Sequence, residues 1–465
     1  MIEFDYTNVR QEVIGQEHGI DTDFEFANYS EKIASIIKDI CQNQDNPYFN
    51  YGWLNFCNKR EQIDEIIQYA EMVRGKFENV ILISADGSTS GVRAVINSLL
   101  PYWNMQNEKE RNNYPKIDII DNIDPDEING LTNIRDFKKS LFLTSSQYGL
   151  SPATMSVFMI AKRHLEYELG ENYRLHMVAC TKNGTGILNQ LANQEGHKTF
   201  TIPDNISYAF SFLSPSGILP LALVGIDINE FLSGVKDATD NAKNPDIYSN
   251  NAAKLALIHY LLCTQKNKKC SVLMPYSTRI NSIPDWCMHI HTDAFSHGVD
   301  IDGKIVNTEQ ITNVAKNFAD KHAVGQMLLN GRNNKTVTIL RVENFDTDNV
   351  IPQFFDYTSL GYLGGKTLSE LMDSEINAVK MLLNDNQRPN ITVNIPQITP
   401  YNIGYFMGYY MSKIIIQARL YNIEPHVHTD SESFFNYIYA QLGKFGYEAT
   451  YQEMKSRLEQ YKAMT

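Results

Sequence analysis

The pentapeptide His-x-His-Thr-Asp occurs twice in this chain, as HIHTD at His289–Asp293 and as HVHTD at His426–Asp430. The whole sequence has 11 histidines, so four of them in two distant copies of one pattern is not a local repeat. Imidazole and carboxylate together form the usual ligand set for a divalent transition metal. If the fold brings both copies to one cleft, a metal site results. A single HxH pair is more often an ordinary core or surface feature, and His291 and His426 are candidates for the members that turn away.

Two further segments can hold an anion. Asp86–Gly91 (DGSTSG) and Thr144–Ser151 (TSSQYGLS) each follow an apolar, β-branched run and precede a helical pattern. Backbone N–H groups at such a helix start point outward and can cradle phosphate or sulfonate. A plain cap and tight turn is the equally good structural alternative.

The elements around these loops alternate. Strand candidates are Asn79–Ala85, Lys116–Ile120, Ser140–Leu143, Leu175–Ala179, Cys270–Met274, Thr336–Val342 and Asn390–Ile395. Helical patterns cover Val92–Leu100, Pro152–Leu169, Asn251–Cys263, Tyr401–Tyr421 and Phe434–Tyr461, the last broken near Gly443–Gly446. Strands alternating with helices predict an α/β fold with mostly parallel sheets. Ligands in such folds sit beyond the carboxyl ends of the strands.

A length of 465 residues exceeds one ordinary core and predicts two domains. The net charge of −13 argues against nucleic acid or an anionic membrane as partner. It also means that an anionic substrate needs a local site, because the global field repels it. The six cysteines show no CxxC pair, and the N-terminal stretch is mixed and acidic, unlike a signal peptide. No run approaches the length of a membrane span. A cytoplasmic location is expected.

Several segments together resemble the glucose-6-phosphate isomerase family in its bacterial form. Ile202–Asp227 (IPDNISYAFSFLSPSGILPLALVGID) resembles the GGR[FY]S-x-L[ST]-x-x-GLLP signature, and Asp320–Gly331 (DKHAVGQMLLNG) the segment with the family's catalytic histidine. Asn390–Gly408 and Gln441–Gly446 match C-terminal features, and Tyr51–Leu54 (YGWL) extends the likeness toward the N-terminus. The resemblance is collinear over nearly the whole chain. It implies two flavodoxin-like sugar-isomerase (SIS) domains and a helical C-terminal arm. The division expected is 1–60 as an N-terminal helical segment, 61–225 as the first domain and 226–465 as the second with the arm. A homodimer, with the active site at the domain and subunit junction, is implied as well.

Carried over position by position, the family's catalytic set is only partly present. The ring-opening histidine corresponds to His322, and the base, a glutamate in the family, falls at Asp293. The signature arginine falls at Ala209 and the catalytic lysine at Phe435, so both positive charges are lost. The two family glutamines expected at the sugar become His289 and His428, one in each HxHTD copy. Glu432 keeps a family glutamate and is a second candidate base. The losses and the gained histidines therefore fall on the same site. A divalent cation (Mn, Co or Zn) held by His289, Asp293 and His428, with His291 or His322 completing the set, would replace the missing charge as a Lewis acid. No nucleotide cofactor is implied.

The expected substrate contacts are Gly87, Ser88 and Thr89 in the first loop and Ser145, Ser146 and Gln147 in the second. The leading expectation is an aldose–ketose isomerase for a glucose-like sugar with an anionic C6 group, either a phosphate or a sulfonate as in sulfoquinovose. One alternative is a conventional metal-free glucose-6-phosphate isomerase in which Arg279 or Lys304 enters the site. The other is a non-catalytic sugar-phosphate-binding paralogue.

Overall fold

The structure, a computed structural model, describes residues 2–47, 49–85, 87–296, 299–306, 311–316, 322–353, 359–425 and 431–463. Among the described residues, ten strands form two five-stranded sheets. They are β1 (Glu3–Asp5), β2 (Asn79–Ile83), β3 (Lys116–Ile120), β4 (Ser140–Ser145), β5 (Met177–Thr181), β6 (Lys198–Thr201), β7 (Cys270–Pro275), β8 (Ile311–Val314), β9 (Lys335–Asn344) and β10 (Asn390–Gln397).

The first sheet has the order β3-β2-β4-β5-β6, and every pairing is parallel. Its central strands are apolar and buried along their whole length, as strands covered on both faces must be. Counted from its first strand the order is 2-1-3-4-5, the flavodoxin-like arrangement, which reverses between β2 and β4. The loops after those two strands are the two anion-loop candidates.

The second sheet repeats the plan. Strands β8, β7, β9 and β10 are parallel and show the same reversal, here between β7 and β9. Beyond β10 lies β1, paired antiparallel with Glu3 opposite Asn394 and Asp5 opposite Thr392. An asparagine chain backs this pairing: Asn8 Nδ2 donates to Asn390 Oδ1 at 2.9 Å, and Asn384 Nδ2 donates to Asn8 Oδ1 at 3.0 Å. The mainly helical segment expected at 1–60 thus also completes the second sheet. β1, β6 and β8 carry no sequence signal because each is short and sits at or near a sheet edge.

Six helices matter for the site. They are α1 (Thr22–Asn43), α2 (Ser88–Leu99), α3 (Ile228–Ala242), α4 (Asn251–Lys266), α5 (Ile283–Phe295) and α6 (Pro400–Leu420). Asp21, Asp227, Asn250 and Thr399 cap α1, α3, α4 and α6 with side-chain oxygens on first-turn amides. α6 is buried almost throughout and crosses α3 closely. A Cβ on Gly404 would stand 2.1 Å from the Phe231 carbonyl oxygen, and one on Gly234 would stand 1.9 Å from that of Tyr401. The C-terminal arm breaks at Gly443 and Gly446, both at positive φ, and returns to the first domain where Tyr439 donates its hydroxyl to the Leu150 carbonyl at 2.7 Å.

α6 also buries Lys413, 3% exposed, beside Cys287, His259 and the Tyr410 ring. Burial pulls its ammonium from the ordinary 10.5 down to about 7. A folded value below the unfolded one makes this group destabilising. The penalty is absent above the unfolded pKa, grows as pH falls, and is complete below the folded value. Lys413→Met is therefore expected to raise the unfolding midpoint at pH 7 by at least about 2 °C. Calorimetry should find this gain shrinking from pH 7 to pH 10.

Candidate active site

The candidate cleft lies where α5, beside the second sheet, packs on α2, which follows the first sheet. Trp286 sets its orientation. This side chain is fully buried, its ring centre 6.4 Å from that of Phe212 and 5.9 Å from that of Tyr410. Ile283, Cys287, Ile290 and Ala294 line the same buried side. With the apolar stripe committed to the core, the helical period turns His289 toward the first-domain loops.

His289 meets the first loop directly. A Cβ built on Gly87 would stand 2.4 Å from His289 Nε2 and 2.9 Å from Ala209 Cα. Three predicted positions converge here: the glycine loop after β2, the residue standing where the family arginine falls, and the first histidine of HIHTD. His289 is solvent-exposed, yet the surrounding protein desolvates it enough to lower its pKa below the ordinary value. Exposure combined with dense surroundings marks a group on a cleft wall. Asp293 lies one turn further along α5 and is half-buried. Burial pushes its carboxyl from the ordinary 3.8 up to about 7.

The first loop leaves the start of α2 without a side-chain cap. Gly87 is the N-cap of α2 and brings no side chain to its first-turn amides. Ser88 is buried, and its hydroxyl has no hydrogen-bond partner among the described residues. Ser90 instead closes back on the Gly87 carbonyl at 2.9 Å.

The second loop is enclosed. Ser145, Ser146 and Gln147 are all buried. Ser146 Oγ accepts from Gly149 N at 3.2 Å, and Gln147 Nε2 donates to the Ile206 carbonyl at 3.0 Å. These groups tie the loop to its neighbours and do not open into a cradle. Thr144 Oγ1 and Ser145 Oγ lack a partner among the described residues. The reason is interlocking: Gly186 packs so tightly on Tyr148 that a Cβ there would stand 2.5 Å from its carbonyl oxygen. Lys182, which no sequence pattern marked, lies beside this loop and donates to the Tyr148 hydroxyl and the Asp204 carbonyl, both at 3.0 Å.

The remaining candidates separate. His291 turns into the core, 2% exposed and stacked on Phe295 at 4.6 Å between ring centres. Two residues along a helix is about 200° of rotation, so His291 and His289 face opposite ways, and the structure does not bring His291 to the cleft. His322 is exposed, just before the helix Val324–Asn330. His428 lies outside the described residues, as does the side chain of Glu432. Phe435, at the family lysine position, stacks on Tyr439. Arg279 is engaged with the Ser98 carbonyl at 2.8 Å and Asp346 at 2.7 Å, and Lys304 stands exposed near Asp302. Among the described residues, no three His, Cys, Asp or Glu side chains gather as a metal site. His289 and Asp293 are the two donors that this part of the chain offers.

The Gly87 contact is testable by a single methyl group. Gly87→Ala is expected to displace His289 and to weaken binding of a 6-phosphosugar at least about tenfold, since overpacking forces side-chain and backbone shifts. Calorimetric titration checks this, and unchanged affinity would refute the packing account.

Comparison with known proteins agrees with the geometry. Residues 59–430 match the family described as Phosphoglucose isomerase. The chain is 29% identical over 454 residues to a glucose-6-phosphate isomerase of Carboxydothermus hydrogenoformans, covering 97% of each. It is 30% identical over 415 residues to one from Fusobacterium nucleatum, covering 88% of this chain and 90% of that one. A glucose-6-phosphate isomerase structure from Chlamydia trachomatis superposes with a TM-score of 0.80 at 15% identity, covering 100% of this chain and 92% of that one. A hypothetical protein from Thermus thermophilus gives 0.84 at 24% identity, covering 95% and 100%. These two structures establish a shared fold. The match over most of the chain establishes more: this protein belongs to the phosphoglucose isomerase family.

Proposed function

We propose that the protein is an aldose–ketose isomerase for a glucose-like sugar with an anionic C6 group, assisted by a divalent metal. The observation that carries the reading is the convergence of Gly87, Ala209 and His289 in one cleft, with Asp293 one turn away on α5. The relatives named above are glucose-6-phosphate isomerases, which supports the reaction class.

The C6 anion sits on the N-terminal amides of α2, where backbone donors and the helix dipole favour negative charge. His322 protonates the ring oxygen as the C1 hydroxyl loses its proton, which opens the ring. The Asp293 carboxylate then takes the C2 proton and the C2–H electron pair forms the C1=C2 bond of the enediolate; the C2 hydroxyl proton passes to O1, C2 becomes the carbonyl, and the same carboxyl returns its proton to C1. Glu432 is the alternative base. A divalent ion held by His289, Asp293 and His428 would supply the positive charge that Ala209 and Phe435 do not. With the second-loop hydroxyls buried, the anion seat has fewer donors than two open loops would provide. That favours a low-charge anion, so a 6-sulfonate stands beside the 6-phosphate as substrate.

Asp293→Asn is expected to lower kcat about 10²–10⁴-fold with KM nearly unchanged, the range for loss of a positioned base. Wild-type turnover in that variant would transfer the role to Glu432. Chelation with EDTA should abolish interconversion of the aldose and ketose, and Mn²⁺, Co²⁺ or Zn²⁺ should restore it. Equal rates in EDTA would remove the metal from this proposal and leave a metal-free isomerase. Parallel assays with glucose 6-phosphate and 6-deoxy-6-sulfoglucose identify the anion.

A further inference from the structure

A buried hydrogen-bonded knot lies behind the cleft, and the reaction described above does not use it. Tyr51 is fully buried, and its hydroxyl donates to Glu424 Oε2 at 2.9 Å. Arg419, at the end of α6, donates to the same oxygen at 2.9 Å and pairs with Asp39 of α1 at 2.8 Å. The Arg419 and Glu424 side chains are each 13% exposed. Backbone contacts fix the other end of Tyr51. It bridges Ile206 in antiparallel fashion, and Gly52 N donates to the Asn205 carbonyl at 2.8 Å. The approach is close, because a Cβ on Gly52 would stand 2.1 Å from Asn205 Oδ1.

One end of this knot leads to the Gly87–Ala209–His289 contact, and the other precedes the second HxHTD copy in sequence. Ile206 lies three residues before Ala209, which lines the cleft against Gly87. Ile206 is also the carbonyl that Gln147 holds from the second loop. Glu424 lies two residues before His426, the first residue of the second HxHTD copy. A single phenolic hydroxyl therefore joins a first-domain loop to the chain entering the second motif. Arg419 neutralises Glu424 from the far side, which lets the carboxylate stay buried and accept from Tyr51.

We propose that Tyr51 and Glu424 are positioning residues, whose hydrogen bond fixes the loop leading to Ala209 against the end of α6 and the turn at Glu424. The role rests on the isomerase reading given above. Neither residue touches the substrate. Both act through the elements they hold, and a misplacement of about 1 Å can cost on the order of 10²-fold in rate.

The test uses full-length Tyr51→Phe, Glu424→Gln and the double variant. Phenylalanine keeps the ring, which stacks on Phe49, and glutamine keeps the shape of the carboxylate. Each single variant is expected to lower kcat about 10- to 100-fold with KM within about threefold. The double variant should be no slower than the slower single one, because both remove one shared interaction. Rates are read well below each variant's unfolding midpoint, so a loss from unfolding shows instead as a lower active fraction. Hydrogen exchange is read on peptides spanning 202–213 and 421–433, and Tyr51→Phe should speed exchange in both. Wild-type kcat in both single variants, or unchanged exchange in both peptides, overturns the proposal. An inactive wild-type protein would instead overturn the isomerase reading, and the exchange result would still decide whether Tyr51 joins the two segments.

Discussion

The cleft exists because a helix from one domain can rest on a loop from the other with no side chain between them. Gly87 leaves the room that the His289 imidazole occupies, and any Cβ there would overlap it. This contact works only while α5 keeps its rotation. The rotation is held by Trp286, Cys287 and Ile290 on the opposite face, all fully buried. Core packing thereby decides which histidine of HIHTD serves the site. His289 faces the cleft, and His291 is spent against Phe295.

The electrostatics follow from the same crowding. Desolvation lowers the pKa of His289 and raises that of Asp293, so both are biased toward their neutral forms. Neutral imidazole is the form that binds a metal or donates one hydrogen bond, and it adds no charge. With alanine at 209 and phenylalanine at 435, a chain of net charge −13 presents little intrinsic attraction for an anionic transition state. Under the proposed mechanism the missing positive charge must come from a bound ion. In that mechanism the α2 amides supply fixed dipoles at the other end of the sugar.

Much of this is legible in the sequence, for identifiable reasons. NVILI and SLFLTS are buried on both faces, so VILI and LFL read as continuous apolar runs, and TVTILRV is buried except at Arg341. The pairing of His289 with the Gly87 loop is reachable only through family resemblance, since nothing local in either segment points to the other. The second loop leaves two readings open in the sequence, because small hydroxyl residues read alike whether they face a ligand or close a turn. Ser146 and Gln147 do the latter. Short edge strands such as Glu3–Asp5 are invisible, because three residues cannot display a period. Lys182 and the Tyr51–Glu424 bond are equally hidden, since each acquires meaning only from partners distant in the chain.

The placement of β1 bears on how the molecule assembles during synthesis. The first sheet draws all its strands from residues 79–201 and can close once that stretch has left the ribosome. The second sheet cannot. Its outer strand is Glu3–Asp5, whose partner β10 ends at Gln397, and Asn8 waits 382 residues for Asn390. At about 5–20 residues per second, the start of the chain stays unpaired for tens of seconds after it emerges. That strand is short and carries acidic residues at both ends, features that discourage pairing with a wrong edge meanwhile. The join between β1 and β10 links residues 3–5 to residues 392–394, and the second sheet is completed only when the two meet.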